Sequence, residues 1–384
     1  MRGSVRKRGA GWEYLYREVD PNTGKASRLR SKAGFATRRE AEAALQTVLA
    51  SMSAGSYVSP TGLTLRVFLE DRWLPSIAAT IRPSTHYSYK RNLRIHVLPT
   101  LGDVALQRLE PSMLNALYAE LLASGRKDHR KGEPLSAKAV RYVHDVLNRA
   151  LQDAFRWNLL SRKVARLATP PKPRIAHRPE MRTWTRDDLR EFLEGSRGHR
   201  LHAAFFVLGT TGARRGEVLG LRWSDLDLGA GRLHVRRSLV CVTHEPRYSA
   251  TKTAKSRRTI ALDTATVSAL RAHRAAQAAE KLAAGETYAD ADLVFCDRRG
   301  GALHPERFTR TFQHQVARLE LPRIRLHDLR HTWATLALQA GIHPKIVSER
   351  LGHANISITL DIYSHVAPSL HAEAANTVAS YILG

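Results

Sequence analysis

Six residues in the second half of the chain have side chains suited to chemistry on a phosphate ester. Arginine stays protonated in proteins, and its planar fork matches the oxygens of a phosphate group. Lysine and histidine can transfer protons, and a tyrosine that loses its proton can act as a nucleophile. The six stand in short polar segments in this order: Arg214, Lys252, His327, Arg330, His353 and Tyr363.

Taken singly, most of these residues have an ordinary structural interpretation. Lys252 reads as a surface lysine, His353 as a residue at a helix end, and Tyr363 as a half-buried aromatic. Arg214 follows Gly212 where one predicted helix ends and another begins. Unpaired backbone N–H groups and the helix dipole would favour an anion at such a place. The ordered set is more specific than any of its members.

One predicted helix brings two of the six together. Apolar residues fall in a single stripe over 326–340, with the spacing of a helix: Leu326, Leu329, Trp333, Leu336 and Ala340. At about 100° per residue, His327 and Arg330 lie about 60° apart on the flank of this stripe. We therefore expect both side chains to reach the same place at the edge of the core.

Neighbouring residues compete for some of these assignments. Lys255 lies in the same predicted turn as Lys252 and is an alternative to it. Tyr248 and Tyr381 are alternatives to Tyr363. Structural or supporting roles are expected for Arg215, His331 and His365.

The N-terminal residues 1–57 predict a small basic unit. Alternating apolar and polar residues over 12–17, a turn over 20–24 and a second short strand near 26–30 predict a β-hairpin. Thr37 and Glu40 have the spacing of a capping box at the start of a helix. A narrow antiparallel ribbon with excess positive charge can enter a DNA groove.

The rest of the chain predicts two larger domains and a connection. Residues 62–156 have the pattern of an all-helical domain, and 157–182 that of an extended basic, proline-rich linker. Residues 183–384 predict a mixed α+β domain, with strands over 232–242 and 247–262 and a turn at 253–256. The expected fold class is multidomain and mainly α, with small β parts.

The amino-acid composition indicates the class of binding partner and the cellular compartment that we expect. The 384 residues carry 61 Lys and Arg against 35 Asp and Glu, a formal net charge of +26. Such an uncompensated excess predicts a nucleic-acid partner. There is no apolar run of about 18 residues and no signal peptide, so we expect no membrane and a cytoplasmic location. Two cysteines, Cys241 and Cys296, cannot form a disulfide framework.

Three common reaction signatures are missing from the sequence. It has no Gly-x4-Gly-Lys-Ser/Thr loop, no HExxH motif and no acidic cluster with two-metal spacing. We therefore expect chemistry without a cofactor and without a metal ion.

Five motifs together carry a resemblance to a known family. TGARRGE, TKTAKSRRTIAL, HDLRH, LGH and LDIYSHV, in this order, closely resemble the signature of the tyrosine recombinases, of which phage integrases are the founding examples. The resemblance covers residues 62–370. It implies a SAM-like helical core-binding domain over 62–156 and a tyrosine recombinase catalytic domain with a C-terminal tail over 183–384. Residues 1–57 resemble, more loosely, the arm-site-binding domain of integrases from phages and integrative elements.

The resemblance also implies a role for each of the six residues. Arg214 and Arg330 would clamp the phosphate oxygens, Lys252 would protonate the departing 5′ oxygen, His327 would handle the tyrosine proton, His353 would position the phosphate, and Tyr363 would attack it. The implied partners are double-stranded DNA attachment sites, with four protomers on two sites. A DNA-bending host factor and an excision factor are further candidate partners. The expected location is then the nucleoid.

Two other functions compete with recombination. A type IB topoisomerase resembles the same catalytic set but relaxes supercoils without pairing two sites. A non-catalytic DNA-binding regulator would not need all six residues. The arm-like N-terminal unit and the short apolar tail beyond Tyr363 favour recombination.

Overall fold

The chain folds into two compact units, Met1–Ala176 and His177–Gly384. The structure is a computed structural model that describes residues 3–19, 26–55, 57–128, 130–172, 182–243, 245–250, 257–353, 355–357, 359–360 and 379–383. Within these ranges no helix is both long and apolar enough to cross a membrane.

The first unit begins with a three-stranded antiparallel sheet in the order β1-β2-β3. Its elements are β1 Gly3–Arg8, β2 Gly11–Val19, β3 Ala26–Phe35 and the helix α1 Arg38–Ser53. The two predicted strands of the hairpin correspond to β2 and β3, which pair with each other, while the predicted turn over 20–24 lies outside the described residues. The capping box of Thr37 and Glu40 is present at the start of α1. Strand β1 was not predicted, because its Arg-Lys-Arg sequence lacks an apolar alternation. Buried Tyr14, Tyr16 and Leu45 join the sheet to α1.

A helical domain completes the first unit. Its helices are α2 Leu65–Val67, α3 Leu74–Ile77, α4 Pro83–Asn92, α5 Leu98–Leu101, α6 Pro111–Ser124, α7 Ala137–Arg156 and α8 Val164–Leu167. Wider π-helical turns, Phe68–Trp73 and Leu93–Val97, lead into α3 and α5. Each precedes a proline near the start of the next helix, where the ring would clash with a carbonyl of the preceding turn.

The core of this domain extends past the predicted domain boundary at residue 156. Leu160, Val164 and Ala165 are buried in the same apolar core as α6 and α7. The high local content of Lys, Arg and Pro suggested an extended linker from residue 157. The apolar residues between the charges instead fasten this stretch to the helical domain. Residues 173–181, which carry much of the predicted linker, lie outside the described ranges.

The second unit surrounds an aromatic core. Its elements are α9 Arg186–Gly195, α10 His202–Thr211, α11 Arg215–Leu219, β4 Leu226–Asp227, β5 Arg232–Val235, β6 Arg237–Val242, β7 Glu245–Ala250, β8 Arg258–Ala261, α12 Thr264–Ala284, α13 Pro305–Arg318, α14 Asp328–Gln339 and α15 Pro344–Leu351. Trp184 packs against Phe192 and Phe312 in this core. Its backbone N–H donates to Oγ1 of Thr332 at 3.1 Å, and its indole N–H donates to the Pro322 carbonyl at 2.7 Å.

The β part of this unit differs from the expected single hairpin. Strand β6 pairs with β7, while β5 pairs with both β4 and β8. The predicted strand over 232–242 is therefore two strands, β5 and β6, which pair with different partners. The predicted turn at 253–256 lies outside the described residues.

Helix α14 buries a different face from the predicted one. Leu329 is buried as expected, but Trp333 and Leu336 are half-buried and Ala340 is exposed. The burial shifts because α15 packs along one side of α14. There, a small second core is formed by Ala334, Ala337, Leu338, Val347 and Leu351.

Candidate active site

The C-terminal end of α15 is the point where the candidate residues meet. The last carbonyl groups of a helix have no partner within the helix, and they carry the negative end of its dipole. Here three consecutive carbonyls, those of Arg350, Leu351 and Gly352, each accept a hydrogen bond from a different arginine. Gly352 allows this ending, because its φ of 66° lies in the left-handed region that glycine adopts readily.

Arg330 lies at the back of this site. It is 4% exposed, and its Nη2 donates to the Leu351 carbonyl at 2.8 Å. Its Nη1 donates at 2.9 Å to the carbonyl of Gly212, another left-handed glycine at the end of α10. Burial, and then the nearby charge of Arg214, lower the pKa of Arg330 to about 9. The sequence placed this side chain at the edge of the core, whereas the structure buries it.

Arg214 lies at the front of the site and is 38% exposed. It precedes α11, as the sequence predicts, and its Nη2 donates to the Gly352 carbonyl at 3.0 Å. The backbone N–H of Arg214, at the start of α11, is not available to an external anion, contrary to our expectation. The Glu217 carboxylate accepts from the Arg214 backbone N–H at 2.9 Å and from its Nη1 at 2.9 Å.

The partners of this arginine were not predicted from the sequence. Glu217 is buried, and its carboxylate also accepts from Nη1 of Arg258 at 3.1 Å and from Nη2 at 2.9 Å. Burial alone would raise the pKa of Glu217, but the hydrogen bonds and charges of Arg258 and Arg214 lower it. A signal for Glu217 was present, since it stands at the capping-box position three residues after Arg214. No local rule connects Arg258 to a carboxylate 41 residues earlier.

His327 lies immediately before α14 rather than within it. Its ring is 5.2 Å from the ring of His331, edge to face. Burial lowers its pKa to about 4, and the charges of His331, Arg330 and Arg214 act in the same direction. His327 is therefore near the two arginines and neutral at pH 7. In that state one ring nitrogen is free to accept a proton.

His353 follows the left-handed turn that ends α15. Its backbone N–H donates to the Ser348 carbonyl at 3.0 Å, and its Nδ1 is 2.8 Å from Oγ1 of the buried Thr359. Burial lowers its pKa to about 4, with the charges of Arg330 and Arg214 adding to the effect. The structure thus brings His353 into the same electrostatic environment as the two arginines.

The other two candidates, Lys252 and Tyr363, lie outside the described residues, as do Lys255 and His365. Of the competing tyrosines, Tyr248 lies on β7, where burial raises its pKa, and Tyr381 is 91% exposed. Arg215 donates to the Pro305 carbonyl and the Thr309 hydroxyl, away from α15. His331 contacts His327. Within the described ranges, no group of three or more potential metal ligands occurs.

Two guanidinium groups and a histidine lie at the end of α15, close to a second histidine, and such an arrangement is suited to binding an anion such as a phosphate ester. Two family models match the chain: the Phage integrase family over residues 182–369, and the SAM-like N-terminal domain of phage integrases over residues 64–122. The chain belongs to the phage integrase family of tyrosine recombinases, enzymes that break and rejoin DNA strands.

Individual relatives agree with this assignment. A protein described as "Tyrosine recombinase XerC-like" from Caldanaerobacter subterraneus subsp. tengcongensis is 27% identical over 358 residues, covering 89% of each chain. The Tn1549 transposon integrase in complex with transposon right end DNA shares the fold, with a TM-score of 0.65 and 19% identity, over 82% of this chain and 100% of that one. The lambda integrase tetramer bound to a Holliday junction has a TM-score of 0.54 and 18% identity, over 93% of this chain and 94% of that one.

These findings confirm the family and the fold class predicted from the sequence, including the SAM-like helical domain. They do not support the topoisomerase alternative.

Proposed function

We propose that this protein is a site-specific DNA recombinase that integrates or excises a mobile element. It would cut and rejoin DNA through a 3′-phosphotyrosyl intermediate and a Holliday junction. The observation that carries the proposal is the convergence of Arg214, Arg330 and His353 on the end of α15. Capping the carbonyls of α15 accounts for the position of the arginines, but it does not require that Arg214 keep 38% of its side chain exposed beside a histidine.

The two arginines are suited to the phosphate itself. Attack on a phosphodiester builds negative charge on the oxygens of a five-coordinate phosphorus. Arg330 is held from behind by two carbonyls, and Arg214 faces outward with 38% of its side chain exposed. In our proposal both clamp the non-bridging oxygens. Because their positions are fixed before DNA binds, little reorganisation is needed in the transition state.

Tyr363 is the proposed nucleophile and Lys252 the proposed general acid. A tyrosine has a reference pKa of about 10, so its proton must leave as it attacks. His327, neutral at pH 7, can accept that proton, while Lys252 gives one to the departing 5′ oxygen. His353 would hydrogen-bond the phosphate through the ring nitrogen that does not face Thr359.

The covalent ester explains why such a reaction needs no nucleotide. Breaking the DNA strand forms a tyrosine–phosphate bond, which conserves the energy of the phosphodiester. The free 5′ hydroxyl of the partner strand then attacks this bond and releases Tyr363. Two such exchanges, through a Holliday junction, recombine two duplexes.

DNA binding would be shared among the domains. In our proposal, residues 1–57 bind arm-type DNA sites, and the helical domain, which extends from 62 past the predicted boundary at 156 to Ala168, binds the core site. The rest of the predicted linker 157–182 connects it to the catalytic domain 183–384, and the excess positive charge contacts backbone phosphates. Two sites with four strands to cut call for a homotetramer on DNA. A DNA-bending host factor and an excision factor would act as accessory partners in the nucleoid.

A covalent trapping assay tests the nucleophile. The protein is incubated with a nicked duplex that spans the junction between the mobile element and the chromosome, and adducts are separated on a denaturing gel. We expect an adduct with the native protein and with Tyr381→Phe, which changes a tyrosine that is 91% exposed. We expect none with Tyr363→Phe.

Two results would overturn the proposal. An adduct that persists in Tyr363→Phe would refute the assignment of the nucleophile. Adducts formed equally on duplexes of arbitrary sequence would refute site specificity and favour a relaxing enzyme. Arg214→Ala gives a further check, because it should stop cleavage while leaving DNA binding largely intact.

A further inference from the structure

Arg258 is the third arginine that reaches the end of α15, and the roles assigned so far do not include it. It begins strand β8, and its Nε donates to the Arg350 carbonyl at 2.6 Å. Both of its Nη atoms donate to Glu217, the carboxylate that also binds Arg214. Its side chain is 8% exposed and that of Glu217 is 4% exposed.

The difference in exposure separates the three side chains into two layers. Arg214, at 38% exposure, faces the side from which a phosphate can approach. Glu217 and Arg258, at 4% and 8% exposure, are buried and not accessible to a group as large as a DNA phosphate. Any effect of Arg258 on the reaction must therefore pass through another residue.

The charges of Glu217 and the two arginines indicate how Arg258 affects Arg214. Glu217 accepts from the backbone N–H and from Nη1 of Arg214, so on its own it would neutralise the charge of that arginine. A buried carboxylate with a single arginine partner would form a closed ion pair with little remaining attraction for a phosphate. With Arg258 also bound to both carboxylate oxygens, the three groups keep one positive charge in excess.

We propose that Arg258 is a positioning residue for strand cleavage, which occupies the Glu217 carboxylate so that the charge of Arg214 stays available to the scissile phosphate. The inference rests on the proposed function, because it assumes that Arg214 binds that phosphate. Loss of Arg258 should then slow cleavage without weakening DNA binding. Loss of the Glu217 charge in the same molecule should restore part of the rate, since the carboxylate would no longer claim Arg214.

Arg350 provides a matched control. Its Nη2 donates to the Ala261 carbonyl at 3.0 Å, so it joins α15 to β8 just as Arg258 joins β8 to α15. Its hydrogen bond goes to a carbonyl, and Glu217 is not its partner. A purely structural tie between the two elements would be weakened equally by Arg350→Met and Arg258→Met. Only the second substitution removes a positive charge that is bound to the Glu217 carboxylate.

The experiment compares single-turnover rates of covalent adduct formation on the nicked duplex. The variants are Arg258→Met, Arg258→Lys, Glu217→Gln with Arg258→Met, and Arg350→Met, each with its DNA dissociation constant and melting temperature. We expect Arg258→Met to cleave about 10–100-fold more slowly with DNA affinity within about 3-fold. Adding Glu217→Gln should recover at least about 5-fold of that rate, and the control should stay within about 3-fold of the native protein.

The outcomes separate this inference from the proposed function. If the native protein forms no adduct, the proposed function fails. If it does, and Arg258→Met cleaves at the native rate, or Glu217→Gln restores nothing, or Arg350→Met loses as much, the role of Arg258 is refuted. Should Arg258→Met fail to fold, Arg258→Gln with and without Glu217→Gln gives the same comparison, because glutamine removes the charge but keeps a polar side chain. Arg258→Lys, which keeps the charge but not the two-pronged contact, should retain more of the native rate than either variant.

Discussion

Gly352 offers a direct test of how the end of α15 supports cleavage. Its φ of 66° costs an L-residue about 1–2 kcal/mol, so Gly352→Ala should destabilise the protein by that amount. An added Cβ would also lie 3.1 Å from Nη1 of Arg258 and 3.3 Å from its Cζ. The Gly352 carbonyl binds Arg214, so the substitution disturbs two of the three arginines at once.

Gly341 is the matched control, because it ends α14 in the same way. Its φ is 76°, and a Cβ added there would meet nothing within 4 Å. In both turns the next backbone N–H donates five residues back, from Ile342 to Ala337 and from His353 to Ser348, each at 3.0 Å. Gly341→Ala should therefore carry the same backbone cost without touching the site.

The two variants are compared by thermal unfolding and by the rate of adduct formation. Both should lower the melting temperature by roughly 2–8 °C, the range expected for about 1–2 kcal/mol in a unit of this size. Because a misplacement of about 1 Å can cost about 100-fold in rate, Gly352→Ala should cleave about 10–100-fold more slowly. Gly341→Ala should cleave within about 2-fold of the native protein. Equal cleavage by the two variants would refute the reasoning.

Three further predictions concern stability and DNA binding. Without DNA, the free energy of unfolding should fall as the pH drops from about 6.5 towards 4. The reason is that unfolded histidines bind protons that His327 and His353, with pKa values of about 4, do not bind. Urea unfolding of the His327→Gln, His353→Gln double variant should show a shallower pH dependence, and an unchanged pH dependence would contradict this. Asp153→Ala removes the carboxylate that accepts, at 2.8 Å, from the buried Trp73 indole N–H, and it should lower the free energy of unfolding by about 1–3 kcal/mol. Asp103→Ala removes a carboxylate that is 86% exposed and should lower it by less than about 1 kcal/mol. Equal losses of stability in denaturant unfolding would exclude the buried hydrogen bond as the cause. Arg162 and Arg166 are both exposed, and changing both to glutamate should weaken DNA binding. The slope of log K against log[salt] should become shallower by about 0.9 for each phosphate that the protein no longer neutralises. An unchanged slope would show that these two charges lie away from DNA.

Local rules account for what the sequence predicted well. The helix start at Thr37 was predicted correctly because the cap and its partner Glu40 lie within three residues of each other. The family motifs were readable because they are contiguous. They predicted which residues to examine, and the structure describes four of the six candidates.

The remaining features depend on contacts between distant parts of the chain. The sequence of its own helix predicts Arg330 to be a polar residue beside the apolar stripe. It can be buried because the carbonyls of Gly212 and Leu351, from two other elements, accept hydrogen bonds from its guanidinium group. The link between Glu217 and Arg258 likewise joins α11 to β8. Hydrophobic periodicity could not predict either, since it describes how one element meets the core and not which polar groups are satisfied there.

The hydrogen bonds of Trp184 determine which elements of the second unit would bear a pulling force applied to the chain that precedes it. The first described residues of this unit are tied to α14 through the bond from the Trp184 backbone to Thr332, two positions from Arg330 on the same helix. Tension on the chain that enters the unit therefore reaches α14, the helix that carries Arg330, through this bond. Pulling at this end in a single-molecule experiment would therefore load α14 and the aromatic core through the same residue, Trp184.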